Sequence, residues 1–179
     1  KESHADKMEQ FASGKPGRGT PTHMYNAMIS PLIPYGIRGA LWYQGESNNG
    51  EGNLYHEKMK ALIAGWRSVW NKPDLPFYFV QLAPFNYRNR NPKDLPGIWQ
   101  AQLDTLKVPH TGMAVTTDIT TVNNIHPPNK QDVGKRLALW ALAKDYGQKD
   151  IVYTGPLFDK ADHSEGKDSM TVHFKKLGE

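Results

Sequence analysis

The chain has 179 residues, which is enough for one domain with a hydrophobic core. Its formal net charge is +4, and because the basic residues are scattered rather than clustered, we expect no nucleic-acid partner. The absence of cysteine excludes disulfides, thiolate metal sites and cysteine nucleophiles, and no apolar stretch approaches the roughly twenty residues of a membrane-spanning helix.

The first part of the chain predicts little regular structure. Residues 1–20 are polar and contain glycine and proline, which is typical of a flexible lead-in, and residues 1–15 lack the apolar core of a signal peptide. A short helix is predicted to begin at Pro21 with Thr20 as its N-cap, and to end near Pro31.

Strands and helices alternate along the rest of the chain. The predicted strands are 37–43, 77–82, 112–118, 151–153 and 169–174; the predicted helices are 53–71, 96–106 and 129 or 130 to 146. Gly147 is the expected C-cap of the last helix.

This alternation predicts the fold class. Right-handed crossovers between parallel strands place helices on both faces of the sheet, so we expect an α/β fold with three layers (α/β/α) and a mostly parallel sheet. The expected domain covers residues 21–155, and residues 156–179 are expected to begin a β-rich segment.

Polar side chains follow three of the predicted strands. The carboxyl ends of parallel strands meet at one edge of the sheet, where ligands of such folds bind. The candidate site residues at this edge are Gln44, Glu46, Ser47 and Asn48 after the first strand, Gln81 near the end of the second, and Asp118 after the third.

His126 lies in the loop that follows Asp118. Imidazole is the usual general base for activating a hydroxyl, and a carboxylate or a carbonyl must fix its tautomer. Asp118 is the nearest acid upstream of His126. The other histidines show no metal-ligand spacing with carboxylates, so we expect no metal and no cofactor.

Each candidate also has a structural explanation. In that case Gln44 and Glu46 would only help to cap the helix that follows, for which Ser47 or Asn48 is a suitable N-cap. Asp118 would be a turn residue. A different enzyme class would use Glu46 and Asp118 as the two carboxylates of a glycosidase.

Three motifs occur in a consistent order over about residues 20–160. They are WYQGESN at 42–48, preceded by LIPYGIRG at 32–39; LPFYFVQL at 75–82; and IHPPNKQDVGKRLA at 125–138. Together they resemble the sialate O-acetylesterase family of SGNH-type carbohydrate esterases. The resemblance implies a flavodoxin-like SGNH hydrolase fold and a secreted or periplasmic location.

The resemblance also implies a chemistry. Members remove O-acetyl groups from sugars through a serine acyl-enzyme, and His126 matches their general base. Gln44 matches a polar oxyanion or substrate contact, and Glu46 would hold neighbouring loops or the substrate. Members often carry Asp where this chain has Asn124, so the resemblance leaves Asn124 or Asp118 as the residue that orients His126.

One part of the family pattern is missing from the sequence. The family's serine lies in a Gly-Gln-Ser-Asn-Met turn after an early strand, and this sequence contains no such turn. The chain therefore resembles the C-terminal part of the catalytic domain, and we expect a companion chain or self-association to supply the missing strand. The alternatives are an inactive sugar-binding or assembly module of the same fold, and an acetylxylan esterase with the same mechanism.

Overall fold

The computed structural model describes residues 22–88, 91–163 and 168–175, together with Glu9 and Gly166. Its centre is a parallel sheet of order β1-β2-β3, formed by β1 (Ala40–Trp42), β2 (Phe77–Val80) and β3 (Thr111–Ala114). Helix α1 (Asn53–Val69) connects β1 to β2, α2 (Asp94–Thr105) connects β2 to β3, and α3 (Lys130–Lys144) follows β3.

The helices cover both faces of the sheet. Alternate strand residues point to opposite faces, so Phe77 and Phe79 pack with α1 and α2, whereas Tyr78 and Val80 pack with α3. All four residues of β2 are buried, which explains the continuous aromatic and β-branched run in the sequence. The predicted α/β fold with a parallel sheet is confirmed.

The strands are shorter than the sequence predicts. The three predicted strands of the sheet extend over only three or four paired residues each. The strand predicted at 151–153 is wrong: this segment forms no strand, and the Tyr153 ring lies 4.7 Å from that of Trp140 on α3. Tyr153 packs instead against the buried cluster that α3 forms with β2 and β3.

The short helix near the start is irregular. A π-helical turn over Tyr25–Ile29 passes directly into a 3-10 turn over Ser30–Leu32. Pro31 has no backbone N–H, so a regular α-helical ladder cannot continue through it. The predicted cap at Thr20 and Pro21 lies outside the described residues, as does the lead-in apart from Glu9.

The two edges of the sheet differ. The carbonyl oxygens of Met113 and Val115 at the β3 edge accept hydrogen bonds from Trp140 Nε1 (3.0 Å) and Arg136 Nη1 (2.6 Å) on α3. At the β1 edge, Leu41 is 63% exposed. Side chains therefore cover the backbone of β3, whereas none of the described residues forms a strand on the outer side of β1.

The C-terminal part forms a hairpin. Strand β4 (Leu157–His163) pairs antiparallel with β5 (Met170–Lys175), which confirms the strand predicted at 169–174 with a shift of one residue. Over the ranges that the structure describes, none of the helices has the length and apolar character needed to cross a membrane.

Candidate active site at the carboxyl edge of the sheet

The sheet brings the two glutamines of the candidate site to one edge. The register pairs Trp42 with Phe79, and continuing it places Gln44 beside Gln81. The Gln81 backbone N–H donates to the carbonyl of Ala114 (2.9 Å), which extends the pairing of β2 with β3 by one residue. The ends of all three strands therefore meet at this edge.

A glycine allows the chain to turn immediately after Gln44. Gly45 is buried, with φ of +154°, a conformation that L-residues rarely adopt. A Cβ at this position would lie 3.4 Å from Leu82 Cδ1 and 3.5 Å from Ile98 Cδ1. The backbone thus lies directly on the core before the single 3-10 turn Glu46–Asn48 begins.

Hydrogen bonds fix the side chain of Gln44. Its Nε2 donates to Asn48 Oδ1 (2.6 Å), and Tyr55 Oη donates to both the Gln44 carbonyl (2.9 Å) and Oε1 (3.3 Å). Asn48 Nδ2 donates to Glu51, which also pairs with Lys58 at 2.7 Å. We call these five residues the Gln44 network.

The Gln44 network leaves one donor uncommitted. The amide Nε2 carries two hydrogens; the bond to Asn48 uses one of them, and no described residue accepts the other. Since Asn48 and Tyr55 hold both amide atoms, the second N–H of Gln44 has a fixed direction. A donor fixed in advance is what the stabilisation of a developing oxyanion requires.

Glu46 and Ser47 lie beside this network. Burial raises the pKa of the Tyr43 phenol, and the negative charge of Glu46 raises it further. Ser47 is exposed. Neither Ser47 nor Asn48 caps α1, because Gly52 is the N-cap of that helix, so the capping explanation of these two residues is wrong.

The start of α3, shortly after His126, contacts the residue before Gln44. Lys130, the first residue of α3, places Nζ 4.9 Å from the centre of the Tyr43 ring, and Tyr43 directly precedes Gln44. Pro127 is buried and His126 is exposed. The His126 backbone N–H donates to Asn124 Oδ1 (2.9 Å), so Asn124 holds the loop through its backbone.

Asp118 is engaged by a residue of α3. Arg136 Nη1 and Nη2 donate to its two carboxylate oxygens, both at 2.6 Å. These bonds lower the pKa of Asp118 below its usual value. Within the part of the chain that the structure describes, no hydrogen bond joins Asp118 to His126, so its role as the orienting residue stays a prediction.

The lowered pKa of Asp118 argues against the hypothesis that Asp118 is the general acid of a glycosidase. The general acid of a glycosidase needs a raised pKa, so that it is still protonated when it meets the leaving oxygen. The lowered pKa of Asp118 makes it unsuitable for that role.

The sequence analysis did not identify two residues that hold the end of β2. Gln102 of α2 is buried; its Oε1 accepts from the Leu82 backbone N–H (2.9 Å), and its Nε2 donates to the Val80 carbonyl (3.1 Å). Trp99 Nε1 donates to the Leu82 carbonyl (2.7 Å). The spacing of Ile98, Gln102 and Thr105 on one helical face is the signal that indicates the burial of Gln102.

No metal site is present among the residues described. In that part of the chain, no three histidine, aspartate or glutamate side chains lie close enough together to hold a metal ion.

Comparison with known proteins gives consistent matches. Residues 4–143 match the family described as carbohydrate esterase, sialic acid-specific acetylesterase. The sialate O-acetylesterase of Rattus norvegicus is 38% identical over 168 residues, which cover 83% of this chain and 31% of the rat protein. The human sialate O-acetylesterase is 36% identical, covering 76% of this chain and 30% of its own length. This chain therefore spans about a third of these relatives.

Solved structures agree with these matches. The crystal structure of a carbohydrate acetylesterase from Xanthomonas citri has a TM-score of 0.81 and 38% identity, covering 93% of this chain and 39% of that one. A protein from Arabidopsis thaliana has a TM-score of 0.54 and 25% identity, covering 71% of this chain and 54% of its own.

Proposed function

Since this chain belongs to the sialic acid-specific acetylesterase family of carbohydrate esterases, we propose that it carries the base and the oxyanion-binding part of a site that removes O-acetyl groups from sugars. The observation that supports this most directly is the contact between Lys130 and Tyr43. It brings the segment with His126 to the segment with Gln44, although more than eighty residues separate them in the sequence.

In the proposed reaction, a serine hydroxyl attacks the carbonyl carbon of the acetyl ester. His126 takes the hydroxyl proton, and the free N–H of Gln44 donates to the oxyanion that forms. When the intermediate collapses, the sugar oxygen leaves with the proton from His126. Water then attacks the acetyl-serine, again losing a proton to His126, and acetate and the free serine are released.

Other side chains position these two groups. Asn48 and Tyr55 hold the Gln44 amide, and Asn124 holds the backbone of the His126 loop. Asp118 acts on His126 only if its carboxylate serves Arg136 and the imidazole together. Gln81 and Ser47 lie at or beside the same edge, where they would contact the sugar.

The serine is expected from outside these 179 residues. The sequence has no Gly-Gln-Ser-Asn-Met turn, and within the described part of the chain the outer edge of β1 has no partner strand, so a further strand would pair there. A companion chain is the proposed source of the strand that carries the serine. A second copy of this chain could pair with the β1 edge, but it has the same sequence and would not supply the serine. Self-association through the β1 edge predicts an apparent mass that rises with protein concentration, and a strictly monomeric chain would contradict it.

The test is a mixing experiment that measures hydrolysis of 4-nitrophenyl acetate. This chain and a serine-bearing segment of the same family should together hydrolyse the ester, and His126→Ala should abolish the activity while the exposed His163→Ala retains it. Intact mass after quenching should show one added acetyl group on the serine-bearing partner. Full activity of His126→Ala would overturn the assignment.

The second candidate is a sugar-binding or assembly module without catalysis. The absence of the nucleophile turn from the sequence favours it. Affinity for acetylated and plain glycans, with no turnover in any mixture, would support this function over the first.

A further inference from the structure

A polar pocket borders the candidate active site and is formed by residues that the proposed reaction does not use. It has a volume of about 290 Å³. The loop after β2 contributes the segment 85–88, the start of α2 contributes Leu95, and Asn49 joins them from the segment with Gln44. The volume is close to the lower end of the range for small-ligand sites, which is about 300 to 1,000 Å³.

Two connections link the lining of the pocket to the segments of the candidate site. The Asn86 backbone N–H donates to the Val122 carbonyl (2.9 Å), four residues before His126. Asn49 directly follows Asn48 of the Gln44 network. The pocket is therefore connected to the segment with Gln44 through Asn49, and to the loop before His126 through Asn86.

The lining suits a sugar. The Phe85 and Tyr87 rings meet edge to face, with centres 5.0 Å apart and planes at 84°. Asn91 Oδ1 accepts from the Lys93 backbone N–H (3.0 Å), and the Asn91 Nδ2 group, which has no acceptor among the described residues, would donate to a ligand. Aromatic rings for the apolar faces of a sugar and amides for its hydroxyl groups are the contacts such a ligand requires.

One cation lines the pocket. Arg88 is exposed and is the only charged residue among the described residues of the lining. In the ranges 22–88, 91–163 and 168–175, its guanidinium has no hydrogen bond or ion pair. A guanidinium binds a carboxylate through two parallel hydrogen bonds, which gives direction as well as charge.

We propose that this pocket is the specificity subsite, in which Arg88 binds the carboxylate of an acidic sugar while its acetyl ester lies at Gln44 and His126. The inference rests on the proposed function, because it takes the ester to be part of the same sugar. It adds the residue that distinguishes acidic sugars from neutral ones. A neutral acetylated sugar would fill the same pocket without the ion pair.

Equilibrium binding tests this proposal without any need for the nucleophile. The probes are N-acetylneuraminic acid and its methyl ester, which lacks the negative charge, and the measurement is calorimetric or NMR titration of the chain. The acid should bind at least about tenfold more tightly than the ester, and Arg88→Gln should remove that difference. Lys93→Gln, which removes a neighbouring charge outside the lining, should preserve it.

A second variant distinguishes a loss of the ion pair from a loss of the folded state. Asn91→Asp keeps the oxygen that accepts from Lys93 but adds a negative charge to the pocket, so it should weaken binding of the acid and leave the methyl ester nearly unaffected. Equal affinity for acid and ester in the unmodified chain would overturn the proposal, as would a preference retained by Arg88→Gln. Because turnover in the mixing experiment is independent of these titrations, either proposal can fail alone.

Discussion

Gln44 and Asn48 are joined by a hydrogen bond of 2.6 Å, in which the amide Nε2 of Gln44 donates to Oδ1 of Asn48. Asn48 is in turn held by Glu51, and Glu51 by Lys58. Although burial opposes the shift, hydrogen bonds from Lys58 and Asn48 lower the pKa of Glu51, so the acceptor at the end of this chain stays ionised. A surface ion pair therefore fixes the direction of an amide at the candidate active site.

Replacement of Asn48 by alanine should release that amide. In the mixture that supplies the serine, we expect kcat to fall about tenfold with little change in KM, because the oxyanion donor loses its direction while substrate contacts remain. Steady-state kinetics with 4-nitrophenyl acetate measure this. Asn53→Ala, on the exposed first turn of α1, is the matched control, and an equal loss of kcat in both variants would show that Asn48 has no special role.

Gln102 should be essential for stability, although it lies outside the candidate site. Gln102→Met leaves the Leu82 N–H and the Val80 carbonyl buried without partners, so the free energy of unfolding should fall by about 2–4 kcal/mol. Urea denaturation measures the loss. Gln100→Met replaces an exposed glutamine of the same helix and should cost less than about 0.5 kcal/mol; similar losses in both variants would contradict the assignment.

These residues mark what the sequence could and could not predict. The run of apolar residues at 77–82 predicted a buried strand because such a pattern suits a strand covered on both faces. The strand ends at Val80 rather than at Leu82, because Gln102 and Trp99 take the backbone groups of Leu82. Sequence patterns show which face is apolar, but they do not show which polar side chain replaces a strand partner.

The candidate site also combines features that the sequence predicts with contacts that it does not. The motifs predicted a site formed by the segments with Gln44 and His126. In the structure Lys130, four residues after His126, contacts Tyr43, the residue before Gln44, and the roles of Gln44 and His126 stay predictions. The partner of Asp118 was not predicted, since Arg136 lies eighteen residues later on α3 and becomes its neighbour only when that helix packs on β3.

Asp118 and Arg136 should contribute unequally to stability. Asp118 is 61% exposed, so Asp118→Asn should lower the free energy of unfolding by less than about 1 kcal/mol. Arg136→Met should lower it by about 1–3 kcal/mol, because it also leaves the Val115 carbonyl without its donor. Denaturation of both variants at neutral pH measures the difference, and a larger loss for Asp118→Asn would contradict this assignment.

Two buried tyrosines should make the fold sensitive to alkali. Burial raises the pKa of Tyr55 to about 12, and burial together with the Asp145 carboxylate raises the pKa of Tyr78. In the unfolded chain both phenols ionise near the ordinary value of about 10. The stabilisation is fully present below pH 10 and is lost as pH rises toward the native pKa, since the native state keeps protons that the unfolded state releases.

The expected slope follows from proton linkage. Above pH 10 each of the two groups should lower the free energy of unfolding by about 1.4 kcal/mol per pH unit. Urea denaturation at stepped pH measures this decline, and the double variant Tyr55→Phe/Tyr78→Phe, although less stable at neutral pH, should lose stability more slowly between pH 10 and 12. Tyr35→Phe removes an exposed phenol and serves as the control. If the double variant and the unmodified chain declined in parallel, the alkaline sensitivity would come from groups other than these two tyrosines.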